Sequence, residues 1–192
     1  MRGHQVVLVR HGQTEWSLSG QHTGTTDIPL TEAGRRHAEA LGGRLSAWEF
    51  ARVLTSPLAR AADTCRLAGL GARAEVTADL REWDYGEYEG RRTVDVREER
   101  PGWGLWKDGV PGGETVDAVG RRADRVIDAA RSAGGDVAVF AHGHVLRVVG
   151  ARWIGLPPDH GALLALPTAS VSVLGWERET AVIERWNETA AH

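Results

Sequence analysis

Residues 5–12 read Gln5-Val6-Val7-Leu8-Val9-Arg10-His11-Gly12, a short apolar run, mostly β-branched, that stops on a cation, an imidazole and a glycine. The run is too brief for a helix, and its lack of polar alternation suits a strand buried on both faces of a sheet. The same pattern recurs twice. Arg52 to Thr55 is a second short strand; Ser56 and Pro57 after it are expected to cap and open a helix with Leu58, Ala61, Ala62, Cys65 and Ala68 on one side and Arg60 in its first turn. Asp136 to Ala141 is a third, followed at once by His142, Gly143 and His144 and by an apolar helix from about Val145 to Ile154.

Helices are expected between these strands. Thr31 and Glu32 start one whose apolar positions Ala38, Leu41, Leu45 and Trp48 recur every three or four residues. After the turn Pro111 to Glu114, Val116, Val119, Ala123, Val126, Ile127 and Ala130 keep helical register until Gly134 and Gly135 break it. Two alternating runs, Ala169 to Gly175 and Thr180 to Trp186, read as a hairpin at the sheet edge. Strands joined through helix-sized connections favour parallel pairing with helices on both faces. The expectation is an α/β fold: a three-layer α/β/α sandwich with a mostly parallel central sheet and a C-terminal edge hairpin, forming one domain over residues 1–192.

The bulk numbers narrow the function. A net charge of −3 leaves no global basic footprint, which disfavours nucleic acid or an anionic membrane as partner. No stretch approaches the ~18 apolar residues of a membrane span, and Met1 to Arg10 runs into a strand without an apolar signal core. Cys65, the single cysteine, excludes an internal disulfide and reads as a small buried hydrophobe in a reducing compartment. A soluble, cytoplasmic protein is expected.

In parallel sheets ligands bind beyond the carboxyl ends of the strands. Arg10 and His11 follow the first strand, Arg60 the second and His142 the third, so separated segments deliver two arginines and two histidines to one rim. Two guanidinium forks match the oxygens of a phosphate, and a helix starting near His142 to His144 would add backbone donors and a positive dipole. Among these cations His11 should lose proton affinity and remain a neutral nucleophile for phosphorus. A proton donor for the leaving alkoxide is sought in residues 81–87: Glu82 lies beside Trp83, where desolvation would raise a carboxyl pKa, although by spacing Asp84 or Glu87 would serve nearly as well.

The run Leu8-Val9-Arg10-His11-Gly12-Gln13-Thr14-Glu15-Trp16, the segment Thr55-Ser56-Pro57-Leu58-Ala59-Arg60-Ala61, the stretch from Glu82 to Gly90 and Ala141-His142-Gly143-His144 together resemble the histidine phosphatase superfamily, in its phosphoglycerate mutase-like branch. The resemblance implies His11 as the phosphorylated residue, Arg10, Arg60 and His142 as the phosphate pocket, and Glu82 rather than Asp84 as proton donor. It implies a substrate pocket containing Ser17, Thr23, Tyr85, Gly143 and His144, with Gln13 and Thr14 in the loop after the first strand, and neither metal nor cofactor. His142 and His144 could serve as metal ligands, but no motif offers a third. Ser17 and His144 stand where cofactor-dependent mutases usually carry asparagine, and only Arg91 and Arg92 stand in for the mutases' basic cluster. Water is therefore the expected acceptor, and a metal-independent phosphomonoesterase is expected; the segments Thr23-Gly24-Thr25-Thr26-Asp27 and Pro111-Gly112-Gly113-Glu114, with the tail ending near Trp186, most resemble small acid and sugar-phosphate phosphatases within this branch. A mutase, and a phosphate-binding module without turnover, are the alternatives. The partner expected is a small phosphorylated substrate; a homodimer is compatible with this reading. His4, His22, His37, His160 and His192 are expected to be structural or solvent-facing, with His22 bordering the pocket. Trp48 and Trp153 suit core helix faces, and Trp16, Trp83, Trp103 and Trp106 fall in loops.

Overall fold

An apolar strand with no polar face must be covered on both sides, and β1 (Val6–Arg10) is. In the computed structural model, which describes residues 3–189, Val6 and Leu8 point into one core and Val7 and Val9 into another. This is the two-residue alternation of a strand expressed as two buried faces. Along the chain β1 is followed by α1 (Glu15–Ser19), α2 (Glu32–Leu45), β2 (Phe50–Thr55), α3 (Ala59–Leu67), β3 (Ala74–Val76), α4 (Thr93–Glu99), α5 (Leu105–Asp108), α6 (Val116–Arg131), β4 (Asp136–Ala141), α7 (Gly143–Trp153), β5 (Val171–Glu177) and β6 (Thr180–Glu188).

The six strands lie in the order β3-β2-β4-β1-β5-β6. The first four are parallel, and β5 and β6 continue the sheet antiparallel, so the expected edge hairpin is present. Helices α6 and α7 cover one face through Val119, Ala123, Val126, Val145, Leu146 and Val149; α2 and α3 cover the other through Leu41, Leu45 and Cys65. Cys65 is a buried thiol, pushed up by desolvation to about 12. Among the described residues no helix is long and apolar enough to cross a membrane.

Several local expectations are corrected. Strand β3, three residues long, was not expected from the sequence. Ser56 does not cap a helix and Pro57 is not in a first turn: α3 is capped by Leu58 without a side-chain bond, and Ser56 Oγ accepts from His142 Nε2 at 2.8 Å and from Leu58 N at 3.3 Å. Helix α7 starts two residues earlier than expected, immediately after His142. Trp48 lies beyond the end of α2, where its indole donates to Gln5 Oε1 at 2.7 Å. Trp16 and Trp106 belong to the short helices α1 and α5. His192 lies outside the described residues.

One close approach connects this frame to the loop that follows β1. A Cβ on Gly34, in the first turn of α2, would meet Gln13 O at 2.1 Å, so the loop after β1 rests directly on a helix that only glycine leaves room for.

Candidate active site

Strand β1 ends where its neighbour β4 ends, and this brings their following residues together. His11 N donates to Ala141 O at 3.0 Å, and the His11 and His142 rings lie 5.2 Å apart. His11 Nδ1 is 2.7 Å from Gly12 O. A carbonyl only accepts, so Nδ1 carries the proton and Nε2 is left bare, the tautomer a nucleophilic histidine needs. Burial, then the charges of Arg10 and Arg60, lower the His11 pKa from 6.5 to about 3. The expectation of a neutral ring therefore holds, with burial as the leading cause. In long-range 1H–15N spectra at pH 5, His11 is expected to be neutral and Nδ1-protonated; an imidazolium signal there would contradict this geometry.

Arg10 donates through Nη1 to Leu166 O, while its buried Nε has no acceptor among the described residues. A buried guanidinium N–H without a partner is costly, and Arg10 lines the same cavity as His11. Arg60 is differently placed. It is 0% exposed and does not line the open cavity. Its Nη1 donates to Thr26 O at 2.9 Å, its Nη2 to Thr23 O and Gly24 O, both at 3.0 Å, and its Nε to His142 Nδ1 at 3.1 Å. Because Arg60 can only donate, His142 Nδ1 is bare and its Nε2–H is given to Ser56 Oγ. His142 is thus a neutral buried ring, held well below its ordinary pKa by desolvation and by Arg60. It lies behind His11 rather than on the cavity wall.

The loop that receives Arg60 is itself held from the other side. Glu89 accepts from Gly24 N at 2.9 and 3.0 Å and from Thr26 N at 3.0 Å, and a Cβ on Gly24 would meet Glu89 Oε2 and Trp83 O at 2.6 Å. Glu89 was not singled out by sequence; its only signal was membership of the stretch from Glu82 to Gly90.

Glu82 reverses an expectation. Burial by itself pushes its carboxyl up, as proximity to Trp83 suggested, but the hydrogen bonds it accepts, that of the His144 backbone N–H among them, outweigh burial and hold it well below 4.5. The fixed part of this is geometric: Oε1 accepts from Trp83 N and Val145 N, and Oε2 from His144 N, all at 2.9 Å. Two of those donors belong to the first turn of α7. The helix N-terminus expected to greet phosphate therefore holds Glu82 as a carboxylate instead. Asp84 accepts from Gly86 N in a local turn and Glu87 is exposed; neither lines the cavity.

The cavity measures about 280 Å³. Of the expected substrate residues, Ser17, Thr23, Tyr85, Gly143 and His144 all line it, together with Arg10, His11 and Glu82. Gln13 and Thr14 do not; Gln13 Oε1 accepts from Thr31, and Thr14 caps α1. Tyr85 Oη lies 2.6 Å from His144 Nδ1. Burial and Glu82 push the Tyr85 phenol well above 10, so it stays protonated and donates, which leaves the His144 proton on Nε2. His22 also lines the cavity, lowered to about 4 by burial first and His144 second, and Trp16 is the only one of the four named tryptophans on the wall. Arg147, unnoticed in the sequence because it lies inside an apolar helix pattern, lines it too. Arg91 and Arg92 do not: they pair on the surface with Glu99 and Asp95. Among the described residues no group of three or more His, Cys, Asp or Glu could hold a metal ion.

The chain matches, over residues 6–189, the family model described as histidine phosphatase superfamily (branch 1). It is 44% identical over 190 residues to an acid phosphatase of Mycobacterium tuberculosis, covering 95% of this chain and 93% of that protein. It is 38% identical over 183 residues to a sedoheptulose 1,7-bisphosphatase of Saccharomyces cerevisiae, covering 78% of this chain and 67% of that protein. A solved structure of an open reading frame of Mycobacterium tuberculosis superposes with a TM-score of 0.93 at 41% identity, over 99% of this chain and 100% of that one.

Proposed function

The chain belongs to the histidine phosphatase superfamily, branch 1, and from that premise we propose that it hydrolyses a small phosphorylated metabolite through a phosphohistidine on His11, with Glu82 moving the proton. The observation that carries the assignment is the bare, neutral Nε2 of His11 in a cavity that Arg10, with its unpartnered Nε, also lines.

In the first step His11 Nε2 bonds to phosphorus as the P–O bond of the ester breaks, and the leaving oxygen takes a proton from Glu82. In the second, water attacks phosphorus, the P–N bond breaks, and the proton of that water returns to the Glu82 carboxylate. Arg10 neutralises the equatorial oxygens. Arg60 and His142 support the site from behind, and an Arg60 N–H turned from its carbonyls to the phosphate would add a second fork. Positive charge that a metal would otherwise supply comes from these guanidiniums, which supports a metal-independent reaction. A cavity of about 280 Å³ is at the small end of ligand pockets, roughly 300–1,000 Å³, and favours a compact substrate. We treat residues 1–192 as one catalytic domain, supported by the single six-stranded sheet, and place it in the cytoplasm, supported by the buried thiol of Cys65.

Because Glu82 is ionised in the free protein, its proton must come with the substrate, whose negative charge raises the carboxyl pKa. His11 stays neutral down to about pH 3 and does not limit the acid side. Release of phosphate from an aryl phosphate, with chelator present, is expected to be fastest at acid pH and to decline as pH rises. Acid-labile, base-stable labelling of the chain should accompany it. A folded protein that releases no phosphate, or does so only when metal is added back, would overturn the proposal.

A further inference from the structure

Residues 81–85 bring the Glu82 carboxyl to the cavity without belonging to a helix or strand, although Glu82 and Trp83 are buried. Buried backbone carbonyls outside regular structure need donors from elsewhere. One guanidinium supplies them here. Arg122, on α6, donates through Nη1 to Asp79 O at 2.7 Å and Arg81 O at 2.9 Å, and through Nη2 to Glu82 O at 3.4 Å. Its Nε and Nη2 also form a forked bond to the Glu114 carboxylate at 2.8 and 2.7 Å, with 13% of the arginine and 25% of the glutamate side chain exposed.

Glu114 completes the clamp. Its Oε2 accepts from Asp84 N at 3.1 Å, its N donates to Asp84 O at 3.0 Å, and its carbonyl accepts from the Trp83 indole at 2.9 Å. The backbone on both sides of Glu82 is thus tied to one ion pair, neither member of which lines the cavity. The carboxyl end of Glu82 is held differently, by the N–H groups of Trp83, His144 and Val145. Those bonds are charge-assisted only while the carboxyl is ionised. They weaken when Glu82 takes up the proton it has to deliver, which is when its position matters most. The bonds from Arg122 go to backbone carbonyls and do not depend on that proton.

We infer that Arg122, clamped to Glu114, is a positioning residue for proton transfer: it fixes the backbone of Glu82 whatever the charge on the carboxyl, so that the proton is delivered at the leaving oxygen. The inference rests on the phosphatase reading above for what Glu82 does, but not for what holds it. Arg125, one turn further along α6, provides the contrast. It grips only the side chain of Asp79, at 3.0 and 2.5 Å, and touches no carbonyl of the segment.

Leaving-group dependence tests it. Arg122→Lys keeps the charge opposite Glu114 but replaces a planar fork of five donors by one ammonium. Its kcat for an alkyl phosphate is expected to fall by about 10- to 100-fold, the cost of a small misplacement of a catalytic group, and its kcat for a nitrophenyl phosphate by much less. Glu114→Gln should act in the same direction, and it decides by the same readouts if Arg122→Lys does not fold. Arg125→Met should keep the wild-type ratio of the two rates. In a Glu82→Gln background, Arg122→Lys should change that ratio no further, since the group it acts through is gone. An equal fall for both esters, an undiminished effect in the Glu82→Gln background, or a ratio that also falls in Arg125→Met overturns the inference, because loosening of the fold would produce each of these. A readout without turnover is the 13C titration of the Glu82 carboxyl, identified by its absence in Glu82→Gln. In Arg122→Lys, and not in Arg125→Met, it should rise toward the ordinary 4.5 as the three N–H bonds loosen; an unmoved titration overturns the inference. If the wild type hydrolyses neither ester, the phosphatase reading fails, and this titration alone decides whether Arg122 positions Glu82.

Discussion

Replacing His11 by alanine is expected to lower kcat for phosphate release by a factor on the order of 10⁴ or more, with the chain still folded and no labelled intermediate formed. The size of the effect follows from the lack of a substitute. His142, the nearest other imidazole, accepts from Arg60 at Nδ1 and donates from Nε2 to Ser56 Oγ, so neither nitrogen offers a free lone pair. His144 is on the wall, but its Nδ1 is occupied by Tyr85. His22 is engaged at Nε2 with Thr93 Oγ1 at 3.3 Å. Alanine at 11 also removes a ring whose neutral burial costs stability at low pH. An unfolded histidine takes up a proton below about 6.5 and the buried ring does so only near 3, so the contribution of His11 to stability declines as pH falls between those values. The variant should therefore resist acid unfolding relative to wild type while being inactive. Residual turnover within about tenfold of wild type would remove His11 from the mechanism.

Glu82→Gln should separate substrates by their leaving groups. For an alkyl phosphate, whose alkoxide needs a proton, kcat is expected to fall by about 10²- to 10⁴-fold. For a nitrophenyl phosphate, whose leaving group is stable as an anion, the fall in the first step should be much smaller. A uniform loss across leaving groups would assign Glu82 a purely structural role. That role is real and needs its own control. The carboxylate accepts three backbone N–H bonds, and the amide of glutamine would turn a donor toward His144 N. Because the Glu82 pKa is depressed, the stability it contributes is present above the ordinary carboxyl value of 4.5 and is lost as pH falls through its lowered value. Thermal unfolding of Glu82→Gln is thus expected to show its largest deficit at neutral pH, converging with wild type under strongly acid conditions.

Much of this could be read without coordinates. The apolar runs at Val6–Arg10 and Asp136–Ala141 carried the parallel core, because a strand covered on both faces needs no polar residue. Arg10, His11 and His142 were legible because each directly follows such a run, and a parallel sheet places those positions on one edge. Glu82 was legible only by resemblance: its segment has no regular element, and by spacing Asp84 and Glu87 were equivalent. The late start of α3 and the position of Trp48 go with one or two hydrogen bonds to distant residues, which local propensity does not weigh.

By itself, the sequence determined the layers of this protein, the rim at which its chemistry collects and the kinds of side chain delivered there. These follow from periodicity and chain direction, which are local. Only the tertiary structure decided the protonation and partners of those side chains. That Arg60 holds a loop from behind, that the first turn of α7 serves Glu82 as a carboxylate, and that Arg147 faces the cavity from within an apolar helix all depend on which donors and acceptors meet across distant segments. Hydrogen-bond satisfaction in a buried site is settled by the whole assembly of elements, and no single stretch of chain carries it.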